Sequence, residues 1–533
     1  MKKESTKVEE TVVASIARRD AALVLALAMI AVTLRALPGP RTIDDAYITF
    51  RYARNLVEGV GFVYNPGEHV LGTTTPLYAA LLACLSALTG SRDFPALAVI
   101  VNTGADLLTI TLLYLAALRV SGSRLMAGVL GLLWATTTMS VAVTVLGMET
   151  SVYILWIIAA LYAYLTGRDA LAAAGAALGL LTRPDALIWA APLLLHQSYT
   201  RWRAGRGRPL REWVPWRAWL AFAALLLPWL AFSAAYFGSP LPHSMIAKSE
   251  AFRAPPYLAL NMLWRQLAMP FFDQLTFGPS MVFIGSFVYP ALFVAGAVSA
   301  ARRAPRLLPF LAYPVLYLIV FSVANPFIYR WYLVPPLPLW LLGVAAGVWY
   351  IAGALARVTR LLLAQPGALL AGAALALLCS YHAWSWRAVP PEPPHPMPAT
   401  VGDDQEQAYR RIAERLVAER GADSDTRIAS LDIGALGYYS NAAILDLAGL
   451  VSPESLDYYP VPPEWIRPGE AYALPTALIL DFEPDYLVVL ETHALPRLTS
   501  DEAFRARYRL LWRETVEVYG NILVFQHDIG DET

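Results

Sequence analysis

The sequence predicts an α-helical polytopic membrane protein carrying a small α/β domain outside the membrane at its C-terminal end. Three observations predict it. Of 533 residues, 57% are hydrophobic and only 15% charged, where soluble domains carry about 25% charged residues. The formal net charge of zero joins two unlike parts: residues 1–400 hold 30 Lys and Arg against 17 Asp and Glu, whereas 401–533 hold 11 Arg, no Lys and 24 acidic residues. A Pro-rich run from Pro390 to Pro398 separates them as a stiff linker. The expected organisation is a transmembrane unit over 1–389, a linker over 390–400 and an extracytoplasmic domain over 401–533. Basic residues lie beside hydrophobic stretches, where topology explains them. The expected surroundings are therefore membrane lipids, with no nucleic acid.

A membrane span needs ~20 apolar residues. The N-terminus has a charged lead (Lys2, Lys3, Lys7, Arg18, Arg19) and then an apolar run without a small-residue cleavage site, which reads as an uncleaved first span near 20–37. Further spans are expected near 94–118, 124–146, 150–166, 218–236, 280–300, 307–323, 331–353 and 361–382. The apolar stretch 170–197 is broken by Thr182-Arg183-Pro184-Asp185. With Arg168 before it and an Arg-rich loop at 201–217 after it, it should enter and return as two short halves, giving 11 crossings. Such a break is tolerated in a membrane only where protein or a polar cavity covers it.

Orientation follows from the arginines. Loop 201–217, the group Arg302, Arg303 and Arg306, and the pair Arg357 and Arg360 are expected in the cytoplasm, with the N-terminus. Residues 38–93, 147–149, 237–279, 324–330 and everything beyond 382 then lie outside. In the first outer loop, Ala46, Phe50, Ala53 and Val57 recur at helical spacing with Arg51, Arg54 and Glu58 off that face. This predicts an interfacial amphipathic helix, opened by Asp44-Asp45 and stopped by Gly59 and Gly61. Asn65-Pro66-Gly67 makes a turn. The apolar piece 76–90 is too short to span and should pack at the outer interface. Beyond the linker, 404–420 reads as a helix, and Arg427–Leu431, Asp485–Leu490 and Asn521–Gln526 read as strands.

No Cys/His cluster, His-Glu-x-x-His or P-loop is present, so zinc and nucleoside-triphosphate chemistry have no support. Cys84 and Cys379 sit in apolar stretches and read as inert core thiols. The adjacent carboxylates Asp44 and Asp45, at a membrane–water boundary, are the chemical feature that stands out. Capping a helix start accounts for one Asp; two in a row ask for more, and either could act as a general base, Asp44 first. Asp44 is the nearer to the first span.

The run from Asp44 to Glu68, ending Gly59-Val60-Gly61-Phe62-Val63-Tyr64-Asn65-Pro66-Gly67-Glu68, closely resembles the first outer loop of GT-C glycosyltransferases, nearest the bacterial terminal arabinofuranosyltransferase-like group. Weaker echoes are Gly147-Met148-Glu149-Thr150, Arg183-Pro184-Asp185, Ala247-Lys248, Asp432 to Tyr438 and Asp446 to Leu450. One departure is Leu71-Gly72-Thr73-Thr74-Thr75-Pro76-Leu77, where related proteins continue Glu-Gly-Tyr-Thr-Asn-Pro-Leu. A carboxylate and an aromatic ring are missing there.

The resemblance implies a GT-C-type enzyme of the bacterial cytoplasmic membrane. It would move a sugar from a polyprenyl-phosphate donor to an envelope glycan, lipid or protein acceptor on the outer face, by single displacement with inversion. Asp44 and Asp45 would be catalytic. Lys248, Arg330 and Arg183 are candidates for the donor phosphate, and Glu149, Asp185, His243 and Arg51 for shaping the site. No cofactor is required by the sequence, and a divalent cation would fall to Asp44 and Asp45. Each cation also has a plainer role: Arg183 could pair with Asp185 or Asp106, and Arg330 could anchor a helix end beside Tyr329, Trp331 and Tyr332. In the outer domain, Tyr438, Tyr439, Tyr458, Tyr459 and Trp465 could stack on sugars or fill a core. Broken helices with buried charges also fit a transporter or flippase of lipid-linked sugars. A non-catalytic envelope-assembly protein would place its working surface in the outer domain.

Overall fold

The computed structural model describes residues 2–206, 212, 214–251, 254–271, 278–359, 366–388, 403–466, 473–494, 497–516 and 520–528. The Pro-rich linker and most of loop 201–217's centre lie outside them. The chain opens with α1 (Lys2–Ala36), α2 (Asp44–Val57), α3 (Pro76–Thr89) and α4 (Phe94–Ser121). Then come α5 (Arg124–Thr136), α6 (Thr138–Val145), α7 (Thr150–Leu165), α8 (Asp169–Thr182) and α9 (Leu187–Ala204). The bundle is completed by α10 (Trp216–Phe237), α11 (His243–Ala251), α12 (Leu258–Ala268), α13 (Gly278–Arg303), α14 (Leu308–Ala324), α15 (Leu337–Thr359) and α16 (Pro366–Ala388).

Among the described residues, five helices are long and apolar enough to cross a membrane, or six if the bent pair α5–α6 is one span. This is fewer than the 11 crossings expected: α7 and α8, which were counted, are apolar but short, and part of the expected span 361–382 lies outside the described residues. The expected span 124–146 is not one straight helix: α5 and α6 meet at 49°. Thr137 leaves the helical region there (φ −63°, ψ 132°), and the Thr136 hydroxyl donates back to the Leu132 carbonyl, a bond that competes with the helix ladder. The expected break at 183–186 is present, with Arg183 extended and a single 3-10 turn at Pro184–Ala186 between α8 and α9. The span expected from 331 begins at Leu337 instead, since Arg330–Tyr332 forms a 3-10 turn and Pro335-Pro336 follows. Cys84 corrects an expectation: it lies exposed on α3.

One buried charge pair holds the inner bundle. Arg35 of α1 meets Asp106 of α4 in an ion pair, while Trp134 Nε1 donates to the same carboxylate at 2.8 Å. Each charge is thus partnered, the condition for keeping it away from water.

The C-terminal part begins with α17 (Asp403–Arg420) and builds a five-stranded sheet in the order β2-β1-β3-β5-β4. Its strands are β1 (Arg427–Ser430), β2 (Ala443–Asp446), β3 (Tyr486–Leu490), β4 (Tyr508–Val516) and β5 (Gly520–His527). β1 pairs in parallel with β2 and β3, and β5 runs antiparallel to β3 and β4. Strands β2 and β4 were not expected: β2 is four residues long, and β4 alternates with polar residues such as Arg509, Arg513 and Glu514. Between β1 and β2 lies the short helix α18 (Gly434–Ser440).

α2 differs from the interfacial helix expected. It does have its apolar stripe, and Gly59 and Gly61 end it at φ +78° and +121°. But nearly all its faces are buried, Arg51 at 1% exposure included. The reason is tertiary: the bundle covers one face and the outer sheet's β1–α18–β2 segment covers the other.

Candidate active site

The loop after α1 and the C-terminal sheet region share one hydrogen-bonded seam. The Asp44 carboxylate accepts the backbone N–H groups of Gly434 and Ala435, both at 2.8 Å. It thereby caps the N-terminus of α18, whose orphan donors and dipole favour an acceptor there. Arg51 donates to the carbonyls of Gly437 (2.9 Å) and Ala442 (2.7 Å), and its guanidinium lies 4.3 Å from the Tyr64 ring centre. Arg54 donates to the Tyr438 carbonyl at 2.8 Å, and Tyr64 to the Ile433 carbonyl at 2.6 Å. Asn65 pairs with both backbone groups of Ile444, at 2.9 and 3.0 Å, covering part of the edge strand β2. Glycines permit this approach: a Cβ on Gly434 would overlap the Asp44 backbone, and one on Gly437 would strike Arg51 and Tyr64.

This seam carries a cluster of carboxyl groups. The Asp44 N–H donates to Glu406 Oε1 at 3.0 Å, and Asp432 accepts from Tyr409 (2.7 Å) and Gln405 (3.2 Å). Burial, then the nearby Asp432 charge, push the Asp44 carboxyl up to about 8, against its two N–H bonds. Burial, then Asp44, push Glu406 up to about 9. Burial pushes Asp432 up to about 6.

Asp45 turns the other way. Its side chain is 30% exposed and lies 3.5 Å from the Lys248 ammonium, itself 36% exposed. Lys248 sits 5.9 Å from the Tyr329 ring centre. Burial, the largest single influence, would lower the Lys248 ammonium's pKa, but the Asp45 carboxylate together with Tyr332 and Tyr329 raises it. Burial, then Asp45, also raise the Tyr329 hydroxyl. α11, which carries Lys248, is tied to the first loop where the His243 N–H donates to the Leu71 carbonyl at 2.9 Å. Arg330 follows Tyr329 directly and is exposed at the start of its 3-10 turn.

Deeper, Arg183 donates to Glu149 and to Asp185, both at 2.9 Å. Its guanidinium lies 4.8 Å from the Tyr332 ring and 5.4 Å from Tyr153. Of the two partners weighed for Arg183, Asp185 is seen, while Asp106 is taken by Arg35. Tyr329 and Tyr332, 6.4 Å apart between ring centres, link the Lys248 pair to the Arg183 network.

The structure thus groups Asp45, Lys248 and Tyr329 on one side of α2. It groups Asp44, Arg51 and Glu406 on the other, while Asp432 lies near enough to interact with Asp44, Asp45 and Tyr329. Sequence reasoning missed Glu406 and Tyr332's place over Arg183. Glu406 lies on a helix dense in charge, where it looks like one more solvated residue. Asp432 had a signal, as part of the C-terminal segment that echoes the family. Both Asp44 oxygens accept backbone N–H groups. Among the described residues, no group of three or more His, Cys, Asp or Glu is placed to hold a metal ion.

A family profile described as a domain of unknown function, DUF8728, matches residues 399–525. No curated protein matches the chain. Among solved structures, ArnT from Cupriavidus metallidurans in the apo state is similar over 96% of this chain and 98% of its own, at 13% identity and a TM-score of 0.53. Arabinofuranosyltransferase AftD from Mycobacteria is similar over 96% of this chain and 41% of its own, at 15% identity and a TM-score of 0.46. ArnT is a GT-C glycosyltransferase, and its likeness to this chain is one of fold. With its apolar helices, the Asp-headed helix that follows the first of them and its appended sheet, the chain is a multi-pass membrane protein of GT-C-like fold.

Proposed function

We propose that this protein is a membrane glycosyltransferase that moves a sugar from a polyprenyl-phosphate donor to an acceptor hydroxyl on the outer side of the membrane. The observation that carries the reading is Asp45. It is a half-open carboxylate beside an ammonium and a tyrosine, on a loop that resembles the first outer loop of such enzymes.

Asp45, not Asp44, is the base in this reading, because Asp44 is sealed under α18. Asp45 takes the acceptor hydroxyl's proton as that oxygen bonds to the anomeric carbon. The bond from that carbon to the phosphate oxygen breaks, and the polyprenyl phosphate leaves with the electron pair. Lys248 offsets the charge that builds on it, with Arg330 as the second cation. One displacement inverts the anomeric centre. Arg183, already held by Glu149 and Asp185, positions Tyr332 and the wall of the site and does not bind the phosphate.

The test is transfer by purified protein from a panel of polyprenyl-phosphate sugars. Product with at least one donor, lost in Asp45→Asn, supports the reading. Binding or flipping of the lipid-linked sugar without transfer to any acceptor overturns it in favour of a transporter.

A further inference from the structure

A second polar cavity lies on the far side of α2 from Lys248. It has a volume of about 500 Å³ and runs between the start of α2, the Asp93 turn before α4, and the exposed flank of α17. That size falls within the ~300–1,000 Å³ of small-ligand clefts. Tyr47 and Tyr439 form one wall, their rings 5.5 Å apart and inclined at 56°, with hydroxyls 3.3 Å apart. Glu406 lies in the lining at 8% exposure. Its Oε1 holds the Asp44 N–H, and its buried Oε2 has no hydrogen-bond partner. A buried oxygen left unmatched costs free energy unless something in the cavity meets it.

The two arginines of the cavity are each matched by a carboxylate. Arg410 bonds Glu414 and Arg411 bonds Glu514, each at 2.7 Å. Arg410 also lies 4.7 Å from the Tyr439 ring. No excess positive charge is left to attract a phosphate or a uronate. A half-buried Tyr439 ring, backed by the buried Tyr47 and set beside neutralised donors and acceptors, suits a ring that is apolar on one face and rich in hydroxyls on its rim.

We infer that the cavity between α17 and the start of α2 is a binding subsite for an uncharged saccharide, which it holds as part of the acceptor glycan. The acceptor role rests on the transferase reading above; saccharide binding itself does not. The first turn of α2 is the physical link. Asp45 faces Lys248, while Asp44 and Tyr47 contact the wall of the cavity. The chain of an acceptor seated here would reach the base past the helix start. The phosphate-seeking cations lie on the opposite side, which leaves this cavity to the partner without phosphate. The raised carboxyl of Glu406 agrees, since a protonated acid both donates to and accepts from a sugar hydroxyl.

The experiment uses the full chain in detergent. Calorimetry measures binding of neutral di- and trisaccharides and of uronate-bearing ones to the wild type, Gln407→Trp and Tyr439→Ala. Gln407 is an exposed cavity residue on α17, so a Trp there fills the space without disturbing a core. Neutral saccharides should bind, and each variant should lose about tenfold in affinity, with a matching rise in acceptor KM. Folded variants that bind as well as the wild type overturn the inference, as does a wild type that binds no saccharide. Preference for uronates overturns the uncharged class. Saccharide binding without any transfer would sink the transferase reading and leave the subsite standing.

Discussion

The Gly434 N–H reaches the Asp44 carboxylate at 2.8 Å, with the glycine's α-carbon against the Asp44 backbone. A residue of the first outer loop thereby caps a helix of the outer domain 390 positions away in sequence. The segments 44–68 and 432–450 are the two halves of this seam. The contact fixes where the outer domain sits, and it divides the Asp pair into one structural and one open carboxylate.

Gly434→Ala should loosen that seam. The added methyl has no room between α18 and α2, and overpacking of this kind costs about 1–3 kcal/mol. Limited proteolysis should cut the outer domain sooner, and the melting temperature should fall. An unchanged digestion pattern would show that the two backbones separate without cost.

Asp44 and Asp45 should separate by phenotype. Asp45→Asn keeps the fold and loses transfer by ~10²-fold or more, the usual cost of removing a general base. Asp44→Ala removes the α18 cap and costs ~1–2 kcal/mol, so its deficit appears first in stability. Both variants need a melting curve and a turnover number. Full activity in Asp45→Asn would return the base to Asp44.

Lys248→Ala should raise the donor requirement more than the acceptor requirement, because the leaving phosphate belongs to the donor. Arg330→Ala should do so more weakly, since Arg330 is exposed whereas Lys248 lies 3.5 Å from Asp45. The donor concentration dependence of each variant is the measurement. If neither dependence moves, the phosphate lies elsewhere, with Arg183 the next cation to test.

Stability of the seam should fall as pH rises. Asp44 and Glu406 have pKa values of about 8 and about 9, above their ordinary 3.8 and 4.5. The folded chain therefore holds protons that the unfolded chain has released. By linkage this stabilisation is complete below the ordinary carboxylate values and is lost as pH rises through about 8 and 9. The melting temperature should drop across that window, and Glu406→Gln, which mimics the neutral acid, should flatten the drop. An equally steep profile in Glu406→Gln would exclude Glu406 as a source of it.

Membrane orientation is checked by single cysteines. An impermeant reagent on intact cells should label positions 60, 260 and 450 and spare 205. The reverse pattern would turn the whole scheme over.

The membrane class, the helix opening at Asp44, the break at Arg183 and three of the strands were legible in the sequence, because each rests on local composition or periodicity. Long apolar runs, an Asp pair before an apolar stripe, and Pro184 after Arg183 act within a few residues. The bend at Thr137 and the strands β2 and β4 were not, since a single extended threonine and short or polar-alternating strands leave little periodicity. What only the tertiary structure decided is the division of labour at α2. Sequence spacing put Arg51 off the apolar face and favoured Asp44 over Asp45 as the base. Contact with α18 and β2 buries Arg51 under backbone carbonyls, locks Asp44 onto two amides and leaves Asp45 with Lys248. Those partners lie about two hundred to four hundred residues away, so no local pattern could announce them; a buried charge goes where its hydrogen bonds are satisfied, and only the folded chain supplies those.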